Sequence, residues 1–349
     1  MVRGVRHGRR DVPGRARRWA GPPPLLLLAT VLGFVVAPIL EHTSAEAVPR
    51  AVTTAVVSPR WVEPHVIRKQ VLAHSQGGSL ASGVAPVQLK PVRVGLATMN
   101  MYRQLSSAQA RSDARTLTGN AAVDVVGWQE ADHFSAVLHA LPGWDTRTFA
   151  QGRRSSELAV SWRRSEFRLV SAGQRRVAEG VGWQDGLHPF PTRLVAVVTL
   201  EHRATGRLLT VVDTHLPQAI EDLDHPGHWR PTINAFRGRN QLEAVAATWR
   251  RAPGRWVVGT GDYNFDVRAD ARVRPPGGPR TAFGPTAVSS YQLLGTDVAP
   301  THPPTDRRID YVWVDRAAHH DGRIGVDRQW VVGGLNSDHN ALVARLVLS

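Results

Sequence analysis

From residue 92 onward, short β-branched apolar runs alternate with longer mixed segments, and polar or turn-forming residues bound each run. The pattern predicts strands at 92–98, 123–128, 158–162, 194–200, 208–213, 256–260, 309–314 and 341–348. Helices are predicted at 107–121, 135–141 and 234–250; the last carries Phe236, Leu242, Val245, Ala246 and Trp249 close to helical spacing. Residues 266–308 are rich in Pro, Gly and Arg and read as long loops. Strands interleaved with helices indicate an α/β or α+β domain over 92–349.

The pattern differs before that domain. Seven arginines fall within residues 1–20, an almost purely apolar run follows from Leu25 to Leu40, and Ala45-Glu46-Ala47 comes next. A basic segment, a short apolar segment and a small-x-small site predict a signal peptide over 1–47, or an N-terminal membrane anchor if it is retained. Cleavage would leave Val48 first and an exported protein; retention would tether it to the membrane. Residues 48–91 are rich in Pro, Ser, Gly and Val without a sustained period and read as a flexible linker, with a short strand at 53–57.

Composition narrows the chemistry. The chain of 349 residues has 42% hydrophobic and 21% charged residues, ordinary for a globular protein. It has no cysteine, which excludes disulfide partners, a cysteine nucleophile and thiolate metal sites. The net charge is +14, and every basic residue except Lys69 and Lys90 is arginine. That arginine bias reflects a GC-rich coding sequence rather than selected arginine chemistry; only the net charge left after residues 1–47 mildly favours a polyanionic partner.

Polar residues cluster where the predicted strands end. Asn100 follows the first, Gln129-Glu130 the second, His215 the fifth and Asp262-Tyr263-Asn264 the sixth. Asp310 opens the seventh, and Ser337-Asp338-His339 precedes the last. Strand ends of α/β sheets form the crevice where ligands bind, so these residues can line one pocket. Singly each is weak: an Asp after a strand is commonly a turn residue.

Together, and in this order, they resemble the endonuclease/exonuclease/phosphatase superfamily, the DNase I-like proteins. The matching stretches are Thr98-Met99-Asn100, Gln129-Glu130, Asp213-Thr214-His215-Leu216, Gly261-Asp262-Tyr263-Asn264, Arg308-Ile309-Asp310-Tyr311 and Ser337-Asp338-His339. The resemblance spans about 92–349 and implies a four-layer α/β sandwich of two mixed β-sheets flanked by helices. It implies Mg²⁺ or Mn²⁺ held by Glu130 with Asn100, and Asp262 orienting or deprotonating the attacking water. Asn264 would hold a phosphoryl oxygen. His339, oriented by Asp310 and supported by Asp338, would contact the phosphate or act as base. His215 would be the second histidine, supported by Glu157, and Arg193 would bind phosphate. Hydrolysis of a phosphodiester needs an activated water and neutralised phosphate charge, which such a set supplies.

The implied activity is a secreted metal-dependent phosphoesterase, with nucleic acid or another phosphodiester as substrate and a monomeric state. The alternatives are a phospholipid or sphingomyelin phosphodiesterase and an inactive surface binding domain. The resemblance expects a groove-binding arginine two residues beyond the metal glutamate, where this chain has Asp132, and a DNA-contacting tyrosine where it has Ser155. Arg153-Arg154 and Arg163-Arg164 are candidate backbone grips. The segment 218–234, with His225 and His228, is a candidate substrate loop. Trp183 and Trp229 are candidate base-stacking or membrane-dipping residues.

Overall fold

The computed structural model describes residues 90–150, 157–179 and 192–349. The predicted signal or anchor, the linker up to residue 89, Arg153-Arg154, Ser155 and Trp183 lie outside the described residues.

Among the described residues the chain builds two six-stranded mixed sheets. Their strands are β1 (Val92–Asn100), β2 (Val125–Gln129), β3 (Trp144–Phe149), β4 (Leu158–Arg163), β5 (Phe167–Ala178), β6 (Arg193–His202), β7 (Leu208–His215), β8 (Trp256–Asp262), β9 (Ala287–Ser289), β10 (Asp310–Asp315), β11 (Ile324–Val332) and β12 (Ala341–Leu348). The first sheet runs β11-β12-β1-β2-β4-β3 and the second β5-β6-β7-β8-β10-β9. Between them lies an apolar layer that includes Leu96, Val160, Trp162, Val198, Val211 and Val312, all at most 2% exposed.

The outer faces are covered by helices: α1 (Ser107–Thr118), α2 (Ser135–His139), α3 (Ile233–Trp249), α4 (Val267–Val273), α5 (Pro279–Phe283), α6 (Ser290–Leu294) and α7 (Arg316–His320). Helix α1 starts at a capping box formed by Ser106 and Gln109 and ends at Gly119. It lays Ala110, Ala114 and Leu117 on the first sheet beside Val126, Trp128 and Val343. Helix α3 is capped by Thr232 and buries Leu242, Val245 and Trp249 on the second sheet. Phe236, expected on its apolar face, points outward and is 59% exposed. The fold is the expected four-layer sandwich.

The expected loop at 266–308 instead holds α4, α5, β9 and α6, each too short to show a period. Strands β3, β5 and β11 were also absent from the predicted set. They have charged, half-exposed residues in place of a clean apolar run, because β3, β5 and β11 lie at sheet edges.

Topology brings the polar strand ends together. The parallel pairs β1–β2 and β7–β8 finish at Asn100 opposite Gln129 and at His215 opposite Asp262. Their antiparallel neighbours begin at the same end: Asp310 of β10 pairs with Asp262, Arg193 opens β6 and Glu157 precedes β4. His215, Asp262 and Asp310 thus stand in a row across three strands.

Candidate active site

The two sheets are joined at this end by hydrogen bonds between side chains. Asn100 Nδ2 of the first sheet donates to Asp262 Oδ2 of the second at 3.0 Å. One layer below, Gln129 Nε2 donates to Asp213 Oδ1 at 2.7 Å, and Thr260 Oγ1 donates to the same oxygen at 2.8 Å. The sheets approach so closely here that a Cβ on Gly127 would lie 2.1 Å from Thr260 Oγ1. Only glycine fits that contact.

Asp262 is the centre of the cluster. Its Oδ1 accepts the Asn264 backbone N–H at 2.8 Å. Its Oδ2 lies 3.4 Å from His215 Nε2 and 3.8 Å from His339 Nε2. Asn264 has a φ of 48° and Glu130 a φ of 55°, left-handed conformations that cost about 1–2 kcal/mol in an ordinary residue. In Asn264 that turn brings Nδ2 to 3.1 Å from the Leu216 carbonyl and 3.4 Å from His215 Nε2.

His339 is buried, with Nδ1 2.9 Å from Asp310 Oδ2. Burial disfavours its charged form, but the carboxylates of Asp310, Asp262 and Asp338 outweigh burial and raise its pKa to about 10. Burial conversely raises Asp310, against the pull of His339. Both partners are raised, so the pair shares a proton between Asp310 Oδ2 and His339 Nδ1.

The opposite wall is a chain of alternating charges. Glu157 bonds to Arg193 Nη1, which also lies 3.1 Å from His215 Nδ1. Arg103 Nη2 reaches the other Glu157 oxygen at 3.2 Å, and its backbone N–H and Nε hold Glu130 Oε2 at 2.9 and 3.1 Å. Burial raises the Glu130 carboxyl, but His215 and Arg103 reverse this and leave it below the usual carboxylate range. Glu130 is therefore ionised. Its Oε1 accepts no hydrogen bond from a described residue. The Asn100 Oδ1 accepts one, from Tyr102 N at 2.9 Å, and keeps a lone pair. Such an oxygen-only donor set fits Mg²⁺ or Mn²⁺.

Glu130, Glu157, Arg193, His215, Asp262, Asn264, Asn100, Asp310 and His339 thus form one connected set. Asp338 stands at its rim, where Oδ2 is 3.8 Å from His302 Nε2. Sequence reasoning missed Arg103 and His302. Both lie on loops, and their partners are remote in the chain. It also missed Asp113 of α1, whose carboxylate accepts the Asn336 and Ser337 backbone N–H groups and so fixes the turn before His339.

Several candidates take other roles. Arg163 pairs with Asp124 at 3.2 Å and stacks over Trp144, and Arg164 donates to the Trp144 carbonyl. Trp229 packs on Phe265 with ring centroids 5.0 Å apart and donates to the Pro276 carbonyl, so it is a packing residue. In the segment 218–234, His225 pairs with Asp222 and His228 Nδ1 faces the His225 carbonyl. The anchor of that segment is buried Glu221, which accepts Gly227 N and Asp266 N and bonds to Arg307. Asp132 is 3.9 Å from Arg103 Nη2, so it does not present a bare carboxylate.

Comparison by sequence matches no protein-family model and no curated protein. Solved structures do match. An endonuclease/exonuclease/phosphatase from Bacteroides vulgatus aligns with a TM-score of 0.55 at 17% identity, over 74% of this chain and 100% of that one. A mannosyl-6-phosphatase from Bacteroides thetaiotaomicron aligns with a TM-score of 0.53 at 18% identity, over 73% of this chain and 100% of that one. D. rerio TDP2, complexed with a single-strand DNA product, gives 0.52 at 15% identity, over 73% of this chain and 98% of that one. The fold is that of the endonuclease/exonuclease/phosphatase, DNase I-like class.

Proposed function

We propose that this chain is an exported phosphoesterase of the endonuclease/exonuclease/phosphatase superfamily, dependent on Mg²⁺ or Mn²⁺, that hydrolyses phosphodiester bonds in nucleic acid. The observation that carries the reading is the Asp262 centre. One carboxylate is held by Asn100 from the opposite sheet and faces two histidines, one of them paired with Asp310. The net basic charge and a fold shared with a TDP2 that holds a DNA product support a nucleic-acid substrate.

The roles follow from charge. Glu130 and Asn100 hold the cation, which neutralises phosphate charge when bound. His339, its ring fixed by Asp310, faces the same space as Asp262 and contacts the phosphate or acts as base. Asp262 orients or deprotonates the attacking water. Asn264 Nδ2 is the neutral donor beside it. Asp310 fixes the His339 ring and sets its tautomer. Arg193 and Arg103 keep Glu157 ionised, and Glu157 in turn orients His215.

The test is hydrolysis by the purified protein with Mg²⁺, beside Glu130→Gln and His339→Ala. Single- and double-stranded DNA, RNA, sphingomyelin liposomes and a generic phosphodiester form the panel. Metal-dependent cleavage of nucleic acid, reduced about 10²–10⁴-fold in both variants, is expected. Preference for liposomes would replace the substrate. No turnover by folded, metal-loaded protein would overturn the reading. Export is tested by sequencing the N-terminus of protein recovered outside the cytoplasm, with Val48 expected first.

A further inference from the structure

A second group of metal-ligating side chains stands at the rim of the site. His302 lies in the hairpin before β10, and Asp338 and His339 lie just before β12. One ligand atom of each falls within 4.8 Å of the other two. The two imidazoles meet edge to face, 4.8 Å between centroids.

Each ring is fixed from behind. His302 Nδ1 lies 2.6 Å from Thr305 Oγ1, and His339 Nδ1 lies 2.9 Å from Asp310 Oδ2. The remaining ligand atom of each ring is Nε2. His302 Nε2 is 3.8 Å from Asp338 Oδ2. A partner on the far ring nitrogen sets tautomer and orientation in metal-bound histidines. The carboxylate carries a second sign: Asp338 Oδ1 is buried and accepts no hydrogen bond from a described residue. A buried, unpaired carboxylate oxygen is costly unless a cation or water satisfies it.

The hairpin is also clamped in place. Asn340 N donates to the Thr301 carbonyl at 2.7 Å, and Asn340 Nδ2 to that of Pro300 at 2.9 Å. Thr301 Oγ1 accepts the N–H groups of Ile309 and Asp310. His302 and Asp338 therefore face each other across a tied junction.

We propose that His302, Asp338 and His339 form a site for a divalent transition metal of the Zn²⁺, Mn²⁺ or Co²⁺ kind, separate from the oxygen-only donors Glu130 and Asn100. Two imidazole nitrogens and one carboxylate suit these ions better than Mg²⁺ or Ca²⁺. Three protein ligands leave positions open for water or a substrate oxygen. Only the identity of the substrate oxygen rests on the phosphoester reading; the ion site does not.

The experiment titrates Co²⁺ into the full chain and follows its visible absorption. Calorimetry with Zn²⁺ runs in parallel. The expected result is a nitrogen-ligated Co²⁺ spectrum that Glu130→Gln leaves in place. His302→Ala, His302→Gln and Asp338→Asn should each weaken binding at least about tenfold with the circular dichroism unchanged. Equal Co²⁺ affinity in wild type and both His302 variants would overturn the proposal, as would binding lost only in Glu130→Gln. If hydrolysis is found while Co²⁺ ignores His302, the ion site falls and the phosphoesterase reading stands. Absent hydrolysis with His302-dependent Co²⁺ gives the reverse.

Discussion

Glu157 and Asp213 are both buried carboxyls near the active edge, and they have opposite fates. Burial pushes each toward the neutral form. For Glu157, the guanidiniums of Arg193 and Arg103, with His215 beside them, outweigh burial and hold its pKa at about 2. For Asp213, the hydrogen-bond donors are Thr260, Gln129 and the Thr214 backbone, all neutral, and its pKa stays well above the carboxylate range. The difference teaches where charge lives in this molecule. The rim is a network of paired ions. The layer beneath it, where the sheets touch, is polar and satisfied by neutral donors, and it seals the network from the apolar core.

The sharpest way to break this contrast is Arg193→Ala. It strips Glu157 of its buried partner and should destabilise the fold by about 3–5 kcal/mol in urea unfolding. Replacing both residues, as Arg193→Met with Glu157→Met, should restore much of that loss. A cost below about 1 kcal/mol for Arg193→Ala would mean that Glu157 is not held ionised by it. Gly127→Ala comes next. It forces a methyl against Thr260 in the neutral layer and should cost about 1–3 kcal/mol, read as a lowered melting temperature.

The two acids also predict opposite slopes with pH. Glu157 is depressed in the fold, so its stabilisation is complete above its ordinary value of 4.5 and is lost as pH falls toward about 2. Asp213 is raised, so its contribution is complete below 3.8 and declines as pH rises through its folded value. Glu157→Gln should flatten the acid limb of a stability–pH curve, and Asp213→Asn the rising-pH limb. Asp213→Asn should change stability by less than about 1 kcal/mol, the smallest effect of the series, because burial pushes the carboxyl toward its neutral form and the amide keeps an acceptor for Gln129 and Thr260. A large loss there would show that Asp213 is ionised after all.

How much of this was legible in the sequence depends on where each residue sits. Central strands such as β8 and β12 announce themselves because both faces are buried, and so the polar residues at their ends stand out. Asp262, Asp310 and His339 were readable for that reason. The edge strand β5 alternates solvent-facing Arg and Gln with small residues, and nothing in its composition separates it from a loop. The capping box at Ser289 and Gln292 was a visible start signal for α6, but a five-residue helix has no period to accompany it. Arg103 was invisible among so many arginines. Its meaning comes from Glu157, which lies 54 positions away and meets it only after β1 and β4 take their places.

The order of strands in the first sheet sets when the site can exist. Strand β12, which follows His339 directly, pairs with β1, the first described strand, across most of the domain's sequence. Contacts of such long separation close slowly and late. Until they close, β1 lacks one neighbour, His339 lacks Asp310, and Asp262 lacks one of its two imidazoles. A chain emerging from N- to C-terminus would therefore lack the assembled cluster until β12 docks. In refolding, formation of the His339–Asp310 contact should trail the recovery of bulk secondary structure.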